Sequence, residues 1–144
     1  MKEKIFCSVI GTIGGVIAYL LGGFDAALIA LVAAMGVDYI SGLIAGVFKK
    51  SPKTQTGALE SRVGLKGLFR KGGVLAIVIV ANILDQLTGS SFIRDAIIIA
   101  YITNEIISVT ENVGLMGVPI HPQIKKAIDI LKSKSESGDK PNDT

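Results

Sequence analysis

Between residues 94 and 112 the polar side chains recur at a spacing that chemistry can use. Arg94, Tyr101, Glu105, Ser108 and Asn112 fall in one narrow sector of a helix, Asn104 and Glu111 lie on its flank, and the opposite side is rich in isoleucine. A further carboxylate, Asp38, sits in "GVDYISGLIAG" at residues 36–46, at the end of a long apolar run. None of this is a catalytic constellation. There is no HExxH, no Walker A loop and no serine beside a credible base. One cysteine, Cys7, and one histidine, His121 between prolines in a turn, exclude a CxxC metal site and an intrachain disulfide. "GTIGG" imitates a glycine-rich loop only superficially, because it lies within an apolar run with no strand before it. The residues therefore predict no enzyme, no cofactor and no metal. A helix with one polar stripe in apolar surroundings has two uses: it pairs with a polar neighbour, or it lines water.

The elements that hold these residues are membrane elements. Of 144 residues 49% are hydrophobic, and the mean hydropathy is +0.55. A soluble core that apolar would lack the polar surface to cover it. Four runs approach the roughly 20 apolar residues that cross a bilayer: 5–21, 26–48, 72–88 and 92–113. "GGFD" separates the first two and "GSS" the last two, which makes two hairpins. The N-terminal run also has the basic start of a signal peptide. It is long and leads straight into a second apolar run, so a retained first span is expected.

The hairpins are joined by a basic loop, 49–71, in which Lys49, Lys50, Lys53, Arg62, Lys66, Arg70 and Lys71 face a lone Glu60. The excess of Lys and Arg places this loop in the cytoplasm; Lys2 and Lys4 do the same for the N-terminus, and Lys125 and Lys126 for the C-terminus. Four spans satisfy all three assignments. Arg62, Lys66 and Arg70 at four-residue spacing align on one helical face, and the loop, Lys49, Lys50 and Lys71 included, is read as a solvated positive-inside segment or a grip on anionic lipid head groups. No regular aromatics interleave the charges, so nucleic acid is not an expected partner.

Two stripes of small residues point to close helix packing or self-association. Gly11, Gly15, Ala18 and Gly22 line the first span, which is expected to pack on the second, and Ala34, Ser41 and Gly42 accompany Asp38 there. Asn82 and Asp85 in the third span are the expected polar neighbours of the fourth, and Arg94 or Asp95 can close an ion pair at the outer turn. After the transmembrane region, 1–122, a short amphipathic surface helix is expected at 123–132 and a disordered polar tail at 133–144. The fold class is an all-α integral membrane protein: about four transmembrane helices in two hairpins, a basic cytoplasmic loop and a short amphipathic C-terminal helix. Four such helices cannot enclose a wide channel, so any pore requires several copies.

Five short motifs add a resemblance: "DYISG" at 38–42, "FKKS" at 48–51, "SRVGLKGLFRK" at 61–71, "IRD" at 93–95 and "NEIISVTENVGLMGVPI" at 104–120. In this order, from about residue 10 to residue 132, the chain resembles the phage lysis and toxin-secretion holins of Gram-positive bacteria, which include the clostridial toxin-release holins. The resemblance implies a homo-oligomer in the bacterial cytoplasmic membrane that opens timed holes. An endolysin then escapes and the host lyses, or a large toxin is secreted; an antiholin is a further implied partner. Asp38 becomes an assembly residue and the fourth-span stripe a candidate lumen. The later methionines are Met35 and Met116, so a nearby second start is not available for timing. The competing readings are a small proton- or cation-coupled transporter, which a membrane carboxylate would suit, and an antiholin that blocks a pore-former.

Overall fold

The computed structural model describes residues 1–48, 50 and 61–137, without the side chains of 131, 132 and 134–137. It is built of five helices with no strand among the described residues: α1 Lys2–Leu20, α2 Ala26–Val47, α3 Ser61–Thr88, α4 Ile93–Leu115 and α5 Pro122–Ser137. Local sequence sets the breaks. Gly22 and Gly23 adopt φ of +82° and +100°, the left-handed region that glycine enters freely. With them, Gly23 N–H donates to Ala18 and Gly22 N–H to Tyr19, the paired bonds that close a helix C-terminus. Asp25 then starts α2, its Oδ1 accepting the Leu28 N–H at 2.9 Å. Gly117 at φ +87° ends the fourth helix in the same manner. At the start of α5, Pro122 takes the first helical position and His121 Nδ1 accepts the Gln123 N–H.

The bundle proper is α2, α3 and α4. On α2, Leu28, Leu31, Met35, Asp38, Ser41 and Ala45 are buried, a three-and-four spacing that keeps one face inward. Leu28, Leu31 and Met35 meet Val78 of α3 and Ile98 of α4 in the apolar core, which Leu21 caps from the first turn. The expected packing of α1 on α2 is not found. α1 touches α3 and has no buried residue, and ideal Cβ atoms on Gly11 and Gly15 would meet nothing within 4 Å. The first hairpin opens because its turn is fastened to α3 and α4 instead, as described below.

Three helices, α1, α2 and α3, are long and apolar enough to cross a membrane. The chain is thus a helical membrane protein with three candidate spans among the described residues, beside the four hydrophobic runs of the sequence. α4 has the length, about 34 Å for 23 residues, but carries Arg94, Asp95, Glu105 and Glu111. α3 begins at Ser61 instead of 72, so the second half of the expected loop is helix. At about 42 Å for 28 residues it exceeds the apolar thickness of a bilayer. The four-residue spacing of Arg62, Lys66 and Arg70 marked "SRVGLKGLFRK" as helical, but not its continuity with the third span. The fifth helix also outruns its expected end at 132, continuing through Ser137 into the segment read as a disordered tail. Residues 49, 51–60 and 138–144, including Lys49, Lys53 and the rest of that tail, lie outside the described residues.

Candidate functional site: two polar clusters across a helical bundle

One cluster closes the end of the bundle where the two hairpin turns meet. Arg94, in the first turn of α4 and 6% exposed, places its guanidinium against the α1–α2 turn. Nε donates to the Leu21 carbonyl at 2.6 Å, and Nη2 to the Gly23 carbonyl at 3.2 Å and to Asp25 Oδ1 at 3.2 Å. Nη1 donates to Asp25 Oδ2 at 2.7 Å and to Asp95 Oδ1 at 3.0 Å. This planar fork satisfies carbonyls that the end of α1 leaves without helical partners. Asp25 is half-exposed. The Arg94 hydrogen bond, with help from the Leu28 N–H, holds its carboxyl below the ordinary carboxylate value.

The end of α3 completes this cluster. Asn82 Nδ2 donates to the Leu20 carbonyl at 3.0 Å, fastening α1 a second time. Asp85 accepts from the backbone N–H of Ile93 at 3.1 Å and of Arg94 at 2.9 Å, and from the Ser90 hydroxyl. It therefore caps α4 from a neighbouring helix, where an acid is favoured by the free N–H groups. Gly22 is the keystone of the contact. A Cβ there would lie 2.6 Å from Asn82 Oδ1 and 2.7 Å from Arg94 Nε.

The other cluster lies on the far side of the apolar core. Lys71 Nζ bridges Asp38 Oδ2 at 2.9 Å and Glu105 Oε2 at 2.5 Å, joining α3 to both α2 and α4. The three side chains are 9–12% exposed. Asn112 Nδ2 donates to Ser41 Oγ at 3.0 Å and to Asp38 Oδ1 at 3.3 Å, and Ser41 donates to the Asp38 carbonyl. One ammonium between two carboxylates is a satisfied arrangement in a low-dielectric interior, where either acid alone would be costly. Asp38 lies 13 residues beyond Asp25, about 20 Å further along the chain's helical axis.

The sequence-derived residues are thus sorted by the fold. Arg94, Glu105 and Asn112 of the α4 stripe turn inward and bond to other helices. Tyr101 and Ser108 are half-buried, while Asn104 and Glu111 are exposed. Asp38 and Ser41 are buried, with Ala34 and Gly42 half-buried beside them. Asn82 and Asp85 are buried at the turns, where Asp85 meets α4 and Asn82 reaches α1. Arg62, Lys66 and Arg70 are exposed on the first turns of α3, and Lys50 is exposed after α2. Lys71 departs from expectation. It is not part of a head-group-facing loop but a helical residue whose amine points into the bundle. Its seven-residue spacing from Val78 and Asp85 carried that information, since all three share a face. Asp25 was also missed, although an acid directly before an apolar helix signals an N-cap.

The model of the bacteriophage holin family matches residues 15–133. An uncharacterized protein of Listeria monocytogenes is 34% identical over 131 residues, covering 90% of this chain and 89% of that protein. An uncharacterized 14.9 kDa protein in the nagH 3′ region of Clostridium perfringens is 35% identical, covering 85% and 89%. A probable holin of Bacillus phage phi105 is 31% identical over 128 residues, 88% of each chain. No solved structure matches the chain. The match over most of its length, joined to apolar helices that enclose buried charge, places the chain in the bacteriophage holin family.

Proposed function

We propose that this protein is a holin that self-assembles in the bacterial cytoplasmic membrane and, at a set time, opens holes through which an endolysin reaches the cell wall or a large toxin leaves the cell. The observation that carries the reading is the Asp38–Lys71–Glu105 set with Asn112 and Ser41. Charges that bond one another inside a single copy can reside in hydrocarbon without opening it. The same groups, once helices of neighbouring copies exchange partners, supply the polar wall of an aqueous hole. The closed and open states are then two arrangements of one stripe, and opening is a population shift toward the assembly.

In this reading α4 is the fourth crossing, made possible because Arg94, Glu105 and Asn112 bond inward. Both termini lie in the cytoplasm with the basic start of α3, where Arg62, Lys66 and Arg70 meet anionic head groups. The protein needs no cofactor and performs no catalysis; the wall-degrading step belongs to the endolysin. An antiholin would act by occupying the surface that a second copy uses.

The test is induced expression in bacteria holding a cytosolic endolysin or a folded reporter of similar size, with culture density and reporter release followed together. Abrupt release after a lag, advanced by collapsing the membrane potential, is the expected result. Depolarisation with no escape of the reporter would replace this reading with a small ion pathway.

A further inference from the structure

Most polar groups of α4 are satisfied within one copy of the chain. Arg94, Glu105 and Asn112 bond to other helices. Thr103 and Thr110 return their hydroxyls to the Ile99 and Ile106 carbonyls. Asn104 does not follow this pattern. Its side chain is exposed, and among the described residues nothing bonds its carboxamide. It is the twelfth residue of a 23-residue helix, so if that helix crosses the membrane the carboxamide stands at mid-depth. Neither lipid tails nor bulk water is a partner there, and an unmade amide bond in hydrocarbon costs several kcal/mol, roughly.

The neighbours of Asn104 indicate what satisfies it. One turn away on the same face are exposed Ala100 and half-buried Tyr101, Ile107 and Ser108, with exposed Glu111 two turns on; Ala100 and Ser108 flank the amide at four-residue spacing, the small-residue pattern by which membrane helices pack closely. Alanine lets a second backbone approach closely. Half-buried Tyr101 and Ser108, on adjacent turns of the same flank, add hydroxyls that nothing among the described residues bonds. A carboxamide both donates and accepts, so it is complementary to itself. Copies inserted with the same topology present it at the same depth.

We propose that Asn104 is the central contact of an α4-to-α4 interface between two copies of this chain before opening, the two carboxamides hydrogen-bonding across a two-fold axis along the membrane normal. The proposal rests on the reading that α4 crosses the membrane and that the protein self-assembles, and it adds which surface the copies use. The interface is isologous, with Ala100 and Ile107 packing around the paired amides.

The experiment is disulfide trapping of the full chain in membranes collected before release begins, in a Cys7→Ser background. Asn104→Cys is compared with Ile99→Cys and Ile106→Cys, which are exposed on the other side of the same helix. Under mild oxidation Asn104→Cys should give a covalent dimer at least about tenfold more abundant than either control, because only facing α carbons within roughly 7 Å can be bridged. Without cysteines, Asn104→Leu should lower the dimer fraction several-fold by single-molecule bleaching counts, and Asn104→Gln should retain it. Dimers from a control position but not from residue 104 would overturn the proposal while leaving self-assembly intact. So would labelling of Asn104→Cys by a membrane-impermeant thiol reagent, which would assign the residue to a water-lined surface. Single copies at every position would overturn both this interface and the self-assembly it rests on.

Discussion

Arg94 holds both carboxylate oxygens of Asp25, at 2.7 and 3.2 Å, across 69 residues of chain. The pair joins the first residue turn of α4 to the cap of α2, so the two hairpins are tied at one end of the bundle. The geometry is bidentate, which separates it from an ordinary exposed ion pair. It also has a definite pH dependence. Asp25 is held below its ordinary value in the fold, so its contribution is fully present above the ordinary carboxylate range and is lost as pH falls through the lowered value. Asp25→Asn should cost about 1 kcal/mol near neutrality. The gap between wild type and variant, read from thermal melts in detergent, should stay constant from about pH 8 to pH 5 and shrink below about pH 4.

Gly22 and Gly23 should respond differently to the same change. Both have positive φ, but only at Gly22 would a Cβ strike Asn82 and Arg94. Gly23→Ala should cost about 1 kcal/mol, the backbone penalty alone. Gly22→Ala should cost at least about twice that, because the guanidinium must move off the Leu21 carbonyl. Paired melting curves decide the matter, and equal losses would show that the contact yields freely.

Lys71 should be the least replaceable charge in the chain. Lys71→Met leaves Asp38 and Glu105 without their shared cation and should destabilise by about 3–5 kcal/mol. Adding Asp38→Asn and Glu105→Gln to Lys71→Met should restore most of that loss, since the three changes remove the uncompensated charge together. If the cluster also sets the closed state, Lys71→Met should shorten the lag before release in the reporter assay. Wild-type stability in Lys71→Met alone would contradict the bridging role.

The number of crossings has a direct test. Four crossings put the N- and C-termini on one side of the membrane, and three put them on opposite sides. A fluorescent protein fused to the C-terminus should fold and fluoresce, and a periplasm-dependent phosphatase fused there should stay inactive. Charge reversal at Arg62, Lys66 and Arg70 should weaken this preference, because those side chains are exposed on α3 and carry the basic bias.

Much of the architecture was legible without coordinates, and for a simple reason. Apolar runs near the length of a bilayer, glycine turns and the three-and-four spacing of small and polar residues are local properties, and they specified the helices, the inward face of α2 around Asp38 and an ion pair of Arg94 or Asp95 at the hairpin turn. Helix boundaries failed at two places: the short basic helix read within the loop at 61–71 is the start of α3, and the end of α5 was read as tail. What local pattern could not decide was partnership. Whether Glu105 faces water or a lysine depends on how α3 rotates against α4, and that rotation is set by Val78 and Ile98 meeting Leu28, Leu31 and Met35 in one core. The stripe on α1 illustrates the converse. Its small residues permit close packing, but the Arg94 and Asn82 contacts at the turn direct α1 away from α2. Sequence by itself determined which residues must avoid lipid; only the tertiary structure decided which of them satisfy one another, because that choice depends on distances between helices that no single helix encodes.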